Sequence, residues 1–323
     1  IDAGANDDAT NNGNIGIGYQ SQTANTTGAD NVAIGYQSLL SNTTGWRSIA
    51  IGTGTLLSNE TGSYNIGIGY LALNHNLLGS YNVAMATWAM ENNADGSHNT
   101  ALGTNALRDN IDSNYNTAMG SSAMLFNTEG DNNVALGAAS MENNTEGDSN
   151  VSAGTFSLRN NTEGSYNNAL GYAALHNNTV GDGNIGIGSG SLFSNTEADE
   201  NIAIGSNALR LNTTGAHNIA LGAGALHDNT TASNNIGIGS SSLYTNTTGA
   251  YNVGIGRNTL LLLNGGFSNV AIGFESMYNT TGNANIGIGF HTLYTNTTGT
   301  DNVAIGYDTM YSNTTGNQNT AVG

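Results

Sequence analysis

The residues in this sequence best placed to do chemistry are carboxylates that recur every seventeen residues. Six of seven successive places in one series are acidic, namely Asp95, Asp112, Glu129, Glu146, Glu163 and Glu197. Asp131 and Asp148 follow two residues after Glu129 and Glu146. If successive repeats stack, these like charges lie about 5 Å apart and repel one another. Calcium accepts carboxylate oxygens with loose geometry. We therefore predict a weak calcium site at Glu129, Asp131, Glu146 and Asp148, with simple solvation of the acids as the alternative.

Other constellations that could support catalysis are missing from the sequence. The six histidines fall at different places in neighbouring repeats, and no Ser-His-Asp arrangement can be assembled from them. Segments such as Gly16-Ile17-Gly18 lack the following helix and the third glycine of a dinucleotide-binding loop. The sequence therefore predicts that the protein is not an enzyme and has no organic cofactor.

Asparagine also recurs within Asn-x-Ser/Thr sequons, which are glycan acceptors in secreted eukaryotic proteins. The glycosylation candidates are Asn25, Asn42, Asn59, Asn143, Asn150, Asn160, Asn177, Asn212, Asn229, Asn246, Asn279, Asn296 and Asn313. Asparagine persists at equivalent places where the sequon is broken, as at Asn76 and Asn93. This recurrence indicates that the amide has a structural role in addition to any role as an acceptor.

These residues are positioned by an internal repeat of seventeen residues, with one residue missing before Asn285. The consensus is Asn-Val/Ile-Ala/Gly-Ile-Gly-Tyr/Ser-x-Ala/Ser-Leu-x-x-Asn-Thr-Thr/Glu-Gly-x-x. We number it from position 0, the first Asn, to position 16. Stacked asparagines at positions 0 and 11 are expected to pass amide hydrogen bonds from coil to coil.

The pattern within each repeat predicts an all-β fold, a parallel β-solenoid (β-roll) of about nineteen coils. Apolar residues at positions 1 and 3 alternate with a small residue at position 2, which is the period of a strand. We expect positions 1 and 3 to be buried and position 2 to face outward. Glycines at positions 4 and 14 predict turns. Positions 6 to 10 fit either a short helical turn or a second strand.

The predicted organisation has a degenerate N-terminal coil or cap at 1–13, followed by one continuous solenoid over 14–323. Irregular coils are expected near 260–284, where four leucines precede Asn264-Gly265-Gly266 and the next coil has lost a residue. A single coil buries too little apolar surface to offset the entropy of ordering it, so the coils must stack.

Composition excludes several classes of partner. The net charge is −18 and there are only five cationic side chains, all arginine, so phosphate neutralisation cannot drive binding to nucleic acid. There is no cysteine for a disulfide framework or a thiolate metal site. No apolar run approaches the about 20 residues needed to span a membrane, so membrane insertion of this segment is not expected.

The repeats Asn31-Val32-Ala33-Ile34-Gly35 and Asn302-Val303-Ala304-Ile305-Gly306 resemble those of trimeric autotransporter adhesin heads and phage tail fibres. The resemblance covers residues 14 to 323. It implies a left-handed parallel β-roll assembled as a trimer at a cell or virion surface. We therefore expect a structural extracellular fibre or stalk that associates with its own copies, as a trimer or as an end-to-end filament. The alternative is an adhesin head that binds carbohydrate or a matrix protein.

Two surface features bear on partners. The small residues at position 2 form a smooth strip, which either packs against a partner chain or merely suits a tight coil. Aromatic residues cluster late in the sequence in two columns, Tyr244, Tyr278, Tyr294 and Tyr311 in one and Phe274, Phe290 and Tyr307 in the other. These rings either bind a ligand such as a sugar or stack on one another across coils.

Overall fold

The computed structural model describes residues 12–323, which contain nineteen three-residue strands and no helix. The strands are Ile15–Ile17 (β1), Val32–Ile34 (β2), Ile49–Ile51 (β3), Ile66–Ile68 (β4), Val83–Met85 (β5), Thr100–Leu102 (β6), Thr117–Met119 (β7), Val134–Leu136 (β8), Val151–Ala153 (β9), Asn168–Leu170 (β10), Ile185–Ile187 (β11), Ile202–Ile204 (β12), Ile219–Leu221 (β13), Ile236–Ile238 (β14), Val253–Ile255 (β15), Val270–Ile272 (β16), Ile286–Ile288 (β17), Val303–Ile305 (β18) and Thr320–Val322 (β19). The prediction of an all-β parallel solenoid is confirmed.

The described residues form two compact units, the first ending at Gly164 and the second beginning at Ser165. Strands β1–β9 belong to the first unit and β10–β19 to the second. The predicted cap at 1–13 falls mostly outside the described residues. Within each unit every strand pairs in parallel with the next, as in Val32↔Ile49 of the first unit and Ile185↔Ile202 of the second.

The register steps by one repeat from strand to strand, so equivalent positions lie above one another. The shortened repeat keeps its place in the ladder, because Val270 pairs with Ile286 after a step of sixteen residues. This repeat is one residue shorter in its turn segment, and its strand keeps three residues.

Positions 6 to 10 form neither the helical turn nor the second strand that the sequence left open. They are a run of turns in which positions 6 and 8 adopt left-handed conformations, as in Gln37 (φ 54°) and Leu39 (φ 50°). Their amides bond to neighbouring coils, Gln37 to the Tyr19 carbonyl at 2.9 Å and Leu39 to the Thr55 carbonyl at 3.1 Å. Bonds between coils thus replace the local bonds of a helix, which explains why helix propensity at these positions is overridden.

The expected direction of the strand side chains is wrong. Position 2 faces the interior, where Ala33, Ala50 and Ala101 are fully buried, while positions 1 and 3 are half-buried or exposed. The large interior side chain of each coil is the leucine or methionine at position 8, such as Leu39 or Met90, which is also fully buried.

The narrow interior of the coil explains this inversion. A Cβ added to Gly67, at position 2, would lie 2.6 Å from the Thr55 Cγ2 and 3.6 Å from the Leu56 Cδ1. The side chains at positions 7 and 8 therefore already fill the space that a β-branched residue at position 2 would need. The larger side chains of the strand are left on the outer side.

The asparagine columns do carry the predicted hydrogen bonds. At position 0, the Asn31 Oδ1 accepts the Ser48 amide at 2.9 Å. At position 11, the Asn42 Nδ2 donates to the Asn25 Oδ1 at 3.1 Å. Both columns also converge on position 14, since the Gly45 carbonyl accepts from Asn31 at 2.8 Å and from Asn42 at 3.0 Å. The asparagine side chains at positions 0 and 11 thus hold the turn at position 14 and link it to the neighbouring coil.

The irregular region near 260–284 interrupts only one of these columns. Leu263 and Thr280 occupy position 11 in two successive coils, and both are buried. The Thr280 Oγ1 has no hydrogen-bond partner. At position 0 the ladder continues, since the Asn269 Oδ1 accepts the Asn285 amide at 3.0 Å.

Candidate interaction surface

The outer side chains of the strands form a surface that we call the strand face, made of positions 1 and 3 of each repeat, which is apolar except at Thr100, Thr117, Asn168 and Thr320. In the first unit its third-position members include Met85, which is 40% exposed, and Met119, which is 43% exposed. In the second unit Leu170, Ile204 and Ile255 are exposed in the same way. None of the nineteen strands contains a charged residue, so in each unit this face is free of charge.

Aromatic columns lie next to the strands in sequence. In the first unit, position 16 carries a continuous stack in which Tyr64–Tyr81 and Tyr81–His98 centroids are 4.8 Å apart and His98–Tyr115 centroids are 4.9 Å apart. In the second unit, position 5 stacks Phe274 on Phe290 at 5.5 Å. Aromatic residues are enriched at protein interfaces, where they bring large areas at low entropic cost.

The stacking interpretation of the late aromatic columns is confirmed for every member except Tyr244, which Leu261 separates from Tyr278 and which stacks on His227 at 4.8 Å. Tyr278, Tyr294 and Tyr311 stack at 5.0 and 4.9 Å, with the last pair tilted by only 1°. A sugar packs on the face of an aromatic ring, and here neighbouring rings already cover those faces. The geometry therefore gives no support to a carbohydrate platform built from these columns.

The predicted calcium ligands lie on the surface, but they are not gathered into a cluster. The Asp131 Oδ1 accepts the Asn114 amide at 2.6 Å and the Asp148 Oδ1 accepts the Asp131 amide at 2.7 Å. Glu129 and Glu146 are exposed. Over residues 12–323 no group of three or more His, Asp or Glu side chains is placed to hold a metal ion. Calcium binding stays a prediction, and a melting temperature unchanged by calcium or chelator would contradict it.

The sequon asparagines divide into two groups by burial. Asn25, Asn42, Asn59, Asn150, Asn212, Asn229, Asn246 and Asn296 are buried, and Asn143, Asn160, Asn177, Asn279 and Asn313 are half-buried. The buried Nδ2 atoms already donate to protein acceptors, as Asn59 does to the Gly62 carbonyl at 2.9 Å. Glycosylation stays a prediction. In the half-buried group, Asn143 donates to the Asn160 Oδ1 at 3.0 Å and Asn313 donates to the Asn296 Oδ1 at 2.8 Å.

Three of the five arginines, Arg47, Arg108 and Arg159, are paired with nearby carboxylates. Arg108 Nη2 lies 2.8 Å from the Asp109 Oδ2, and the Asn92 Nδ2 donates to the Asp109 Oδ1 at 2.7 Å. Burial acts to raise the pKa of Asp109, but the hydrogen bonds from Arg108 and Asn92 outweigh it and hold that pKa below its ordinary value. Arg47 contacts Asp30 at 3.5 Å and the Tyr64 hydroxyl at 3.0 Å, and the Tyr64 bond raises the pKa of its guanidinium.

No family model matches the chain, and no curated protein matches it. Among residues 12–323 no helix is long and apolar enough to cross a membrane.

Sequence reasoning missed the strand face because it assigned the larger side chains to the interior. The sequence feature that indicates the interior side chain is the large apolar residue that recurs at position 8 in almost every coil. A seventeen-residue coil with turns on two sides has room for little more than that residue.

Proposed function

We propose that this chain is a structural segment of an extracellular fibre and that it associates with copies of itself through the strand face. The observation that carries the proposal is the outward row of uncharged aliphatic side chains in each unit. Exposed apolar surface rimmed by polar residues is a feature of protein–protein interaction sites. The extracellular location, at a cell or virion surface, rests on the resemblance of the repeats.

A second copy is the partner that this surface fits best. Its side chains repeat at the strand spacing of about 4.8 Å, and a copy offers the same spacing, so that rows can interdigitate. Charge supports the same choice. Each copy carries a net charge of −18, and two such chains can approach closely only where the surface bears no charge.

The size of the strand face indicates how much of the surface is involved. Nine strands at about 4.8 Å spacing, with about 7 Å between positions 1 and 3, give a strip of about 270 Å² in the first unit. A stable interface usually buries about 800 Å² on each partner. The aromatic columns beside the strands are therefore expected to join the contact and form its rim.

The test is the molar mass of the chain in solution, measured by sedimentation velocity across protein and salt concentrations. We expect defined oligomers whose association strengthens as salt rises, because screening weakens repulsion between two acidic copies. Attraction to a basic partner would weaken under the same conditions. The mass also separates a closed trimer from an open filament.

The variant Met85→Gln/Met119→Gln places amides on the strand face with little change of shape and should dissociate the oligomers. The matched control is Leu77→Gln/Ile111→Gln, since these side chains are 40% and 45% exposed but lie at position 12, outside the strands. The control should associate like the unaltered chain. A monomer under all conditions, or equal loss in both variants, would contradict the proposal.

A further inference from the structure

The second unit contains a column of three tyrosines whose rings lie face to face at position 9. The Tyr278–Tyr294 centroids are 5.0 Å apart with planes tilted by 12°, and the Tyr294–Tyr311 centroids are 4.9 Å apart with planes tilted by 1°. Phenols are the only side chains in such a stack that can be joined covalently by one-electron oxidation. Tyr19 and Tyr36 at position 5 and Tyr64 and Tyr81 at position 16 also stack, at 5.6 and 4.8 Å, but among the described residues only position 9 carries tyrosine in three successive coils.

We propose that Tyr294 and Tyr311 form an oxidative cross-linking site, at which a peroxidase-type oxidant with hydrogen peroxide couples the two rings into dityrosine. Each phenol gives one electron and its hydroxyl proton to the oxidant. The two phenoxyl radicals then form a carbon–carbon bond between their Cε atoms, and the hydrogen on each bonded carbon moves to the phenolic oxygen. In total two hydrogens leave the pair and one hydrogen peroxide is reduced to two waters.

The backbone holds this pair in place before any reaction. The Thr295 amide donates to the Tyr311 carbonyl at 3.1 Å, and the Asn279 amide donates to the Tyr294 carbonyl at 2.9 Å. The coils that carry the rings are therefore fixed relative to each other. Holding two reactants at contact distance raises their effective concentration far above that of free collision, which favours coupling within the chain over coupling between chains.

The surroundings suit the oxidation of these phenols. Tyr294 is half-buried, and the exposed part of its ring is open to an oxidant. Burial and the nearby Glu275 carboxylate raise the pKa of Tyr294, which holds back early loss of its proton and by itself opposes oxidation. The same negative charge stabilises the electron-poor ring during electron loss.

His291 packs against both rings from the side. Its imidazole lies 5.0 Å from the Tyr294 ring and 5.9 Å from the Tyr311 ring, edge-on to each. Its Nε2 lies 3.1 Å from the Glu275 Oε2, and its Nδ1 lies 3.3 Å from the Asp308 Oδ1. The anchored imidazole limits the ways in which the tyrosines can swing apart.

The consequence would be a covalent staple between two successive coils of the second unit. Unwinding of a solenoid proceeds by separation of neighbouring coils, and the staple blocks that step at this place. This inference does not depend on the proposed self-association, because both phenols belong to one chain.

The experiment treats the full chain with a peroxidase and hydrogen peroxide and measures dityrosine fluorescence. Cleavage before Asp301 and Asp308 then places Tyr294 and Tyr311 in separate peptides, and mass spectrometry looks for their joined product, two hydrogens lighter. Tyr311→Phe and Tyr294→Phe should each abolish that product. Tyr307→Phe is the matched control, because Tyr307 is 68% exposed and stacked at 5.0 Å on Phe290, which has no phenol.

An equimolar mixture of unlabelled and nitrogen-15-labelled chains separates coupling within a chain from coupling between chains. We expect only wholly light and wholly heavy joined peptides, with a yield that does not change on dilution. Mixed-label products in statistical proportion, the absence of the joined peptide, or its persistence in Tyr311→Phe would overturn the proposal.

Discussion

Ala50 and Ile51 are successive residues of β3, yet Ala50 is fully buried and Ile51 is 37% exposed. The smaller side chain faces the interior because the threonine or alanine at position 7 and the leucine at position 8 already fill it. The larger one is left on the strand face. Each strand thus shows the reverse of the usual arrangement, and this reversal gives each unit its uncharged apolar surface.

The same relationship predicts the cost of two opposite substitutions. Ala50→Val adds two methyl groups to a filled interior and should lower the free energy of unfolding by about 1–3 kcal/mol. Ile51→Ala removes a side chain that is partly in solvent and should cost clearly less than the 2–5 kcal/mol of a buried truncation. Denaturant midpoints of dilute protein, where association is weak, would compare the two. A large loss of unfolding free energy in Ile51→Ala with none in Ala50→Val would mean that position 3, and not position 2, faces the interior.

The buried amide ladder predicts a strong effect at Asn42. Its Nδ2 donates to the Asn25 Oδ1 and the Gly45 carbonyl, and its Oδ1 accepts from the Asn59 Nδ2 at 2.9 Å. Asn42→Ala should cost about 1–3 kcal/mol, since it leaves buried groups on both neighbours without a partner.

Thr44→Ala is the control for that substitution, because Thr44 lies in the same turn with its side chain exposed. It should change the unfolding free energy by less than about 0.5 kcal/mol. Equal thermal melting of the two variants would mean that the asparagine column does not stabilise the coil.

Much of the fold could be read from the sequence because the repeat enforces it. A seventeen-residue period with a strand at one place dictates parallel pairing, and Val32↔Ile49 follows from the spacing alone. Which side of the strand faces inward could not be read in the same way, since alternation defines two faces without naming the buried one. The left-handed residues Gln37 and Leu39 were also hidden, because bonds between coils impose conformations that local propensity disfavours.

The candidate surfaces were predicted less well than the fold, and for a related reason. The aromatic stacks follow from the period, so Tyr294 over Tyr311 could be foreseen from spacing. The acids at Asp131 and Asp148 share a column as expected, but each turned out to accept a backbone amide. The sequence shows where a carboxylate recurs and leaves open whether a backbone donor meets it.

The paired carboxylate of Asp109 predicts a pH dependence of stability. Its folded pKa lies below the ordinary value, so its contribution is fully present above about pH 3.9 and is lost as pH falls through the folded pKa. The difference in melting temperature between the unaltered chain and Asp109→Asn should therefore be largest near neutral pH and shrink in acid. Asp112→Asn serves as control, since that exposed side chain makes no ion pair with any described residue, and its difference should be small throughout.

The break in the position 11 column predicts that one buried leucine can be replaced by an amide at low cost. Leu263 lies between Asn246 and Thr280, whose buried Oγ1 has no hydrogen-bond partner. In Leu263→Asn the new Nδ2 can donate to the Asn246 Oδ1, and the Thr280 hydroxyl can donate to the new Oδ1. These bonds offset part of the about 1.5–3 kcal/mol lost with the buried leucine.

Leu260→Asn tests whether this tolerance belongs to the column. Leu260 is fully buried in the same coil at position 8, where the neighbouring coils present Leu243 and Met277 and no amide. An unpaired amide there adds its desolvation cost to the lost burial, for a total of about 3–6 kcal/mol. Chemical denaturation should therefore show Leu263→Asn clearly more stable than Leu260→Asn. If the two variants were equally destabilised, an asparagine introduced at position 263 would gain nothing from hydrogen bonds to the neighbouring coils. The asparagines at position 11 of the other coils would then stabilise only the turn within their own coil.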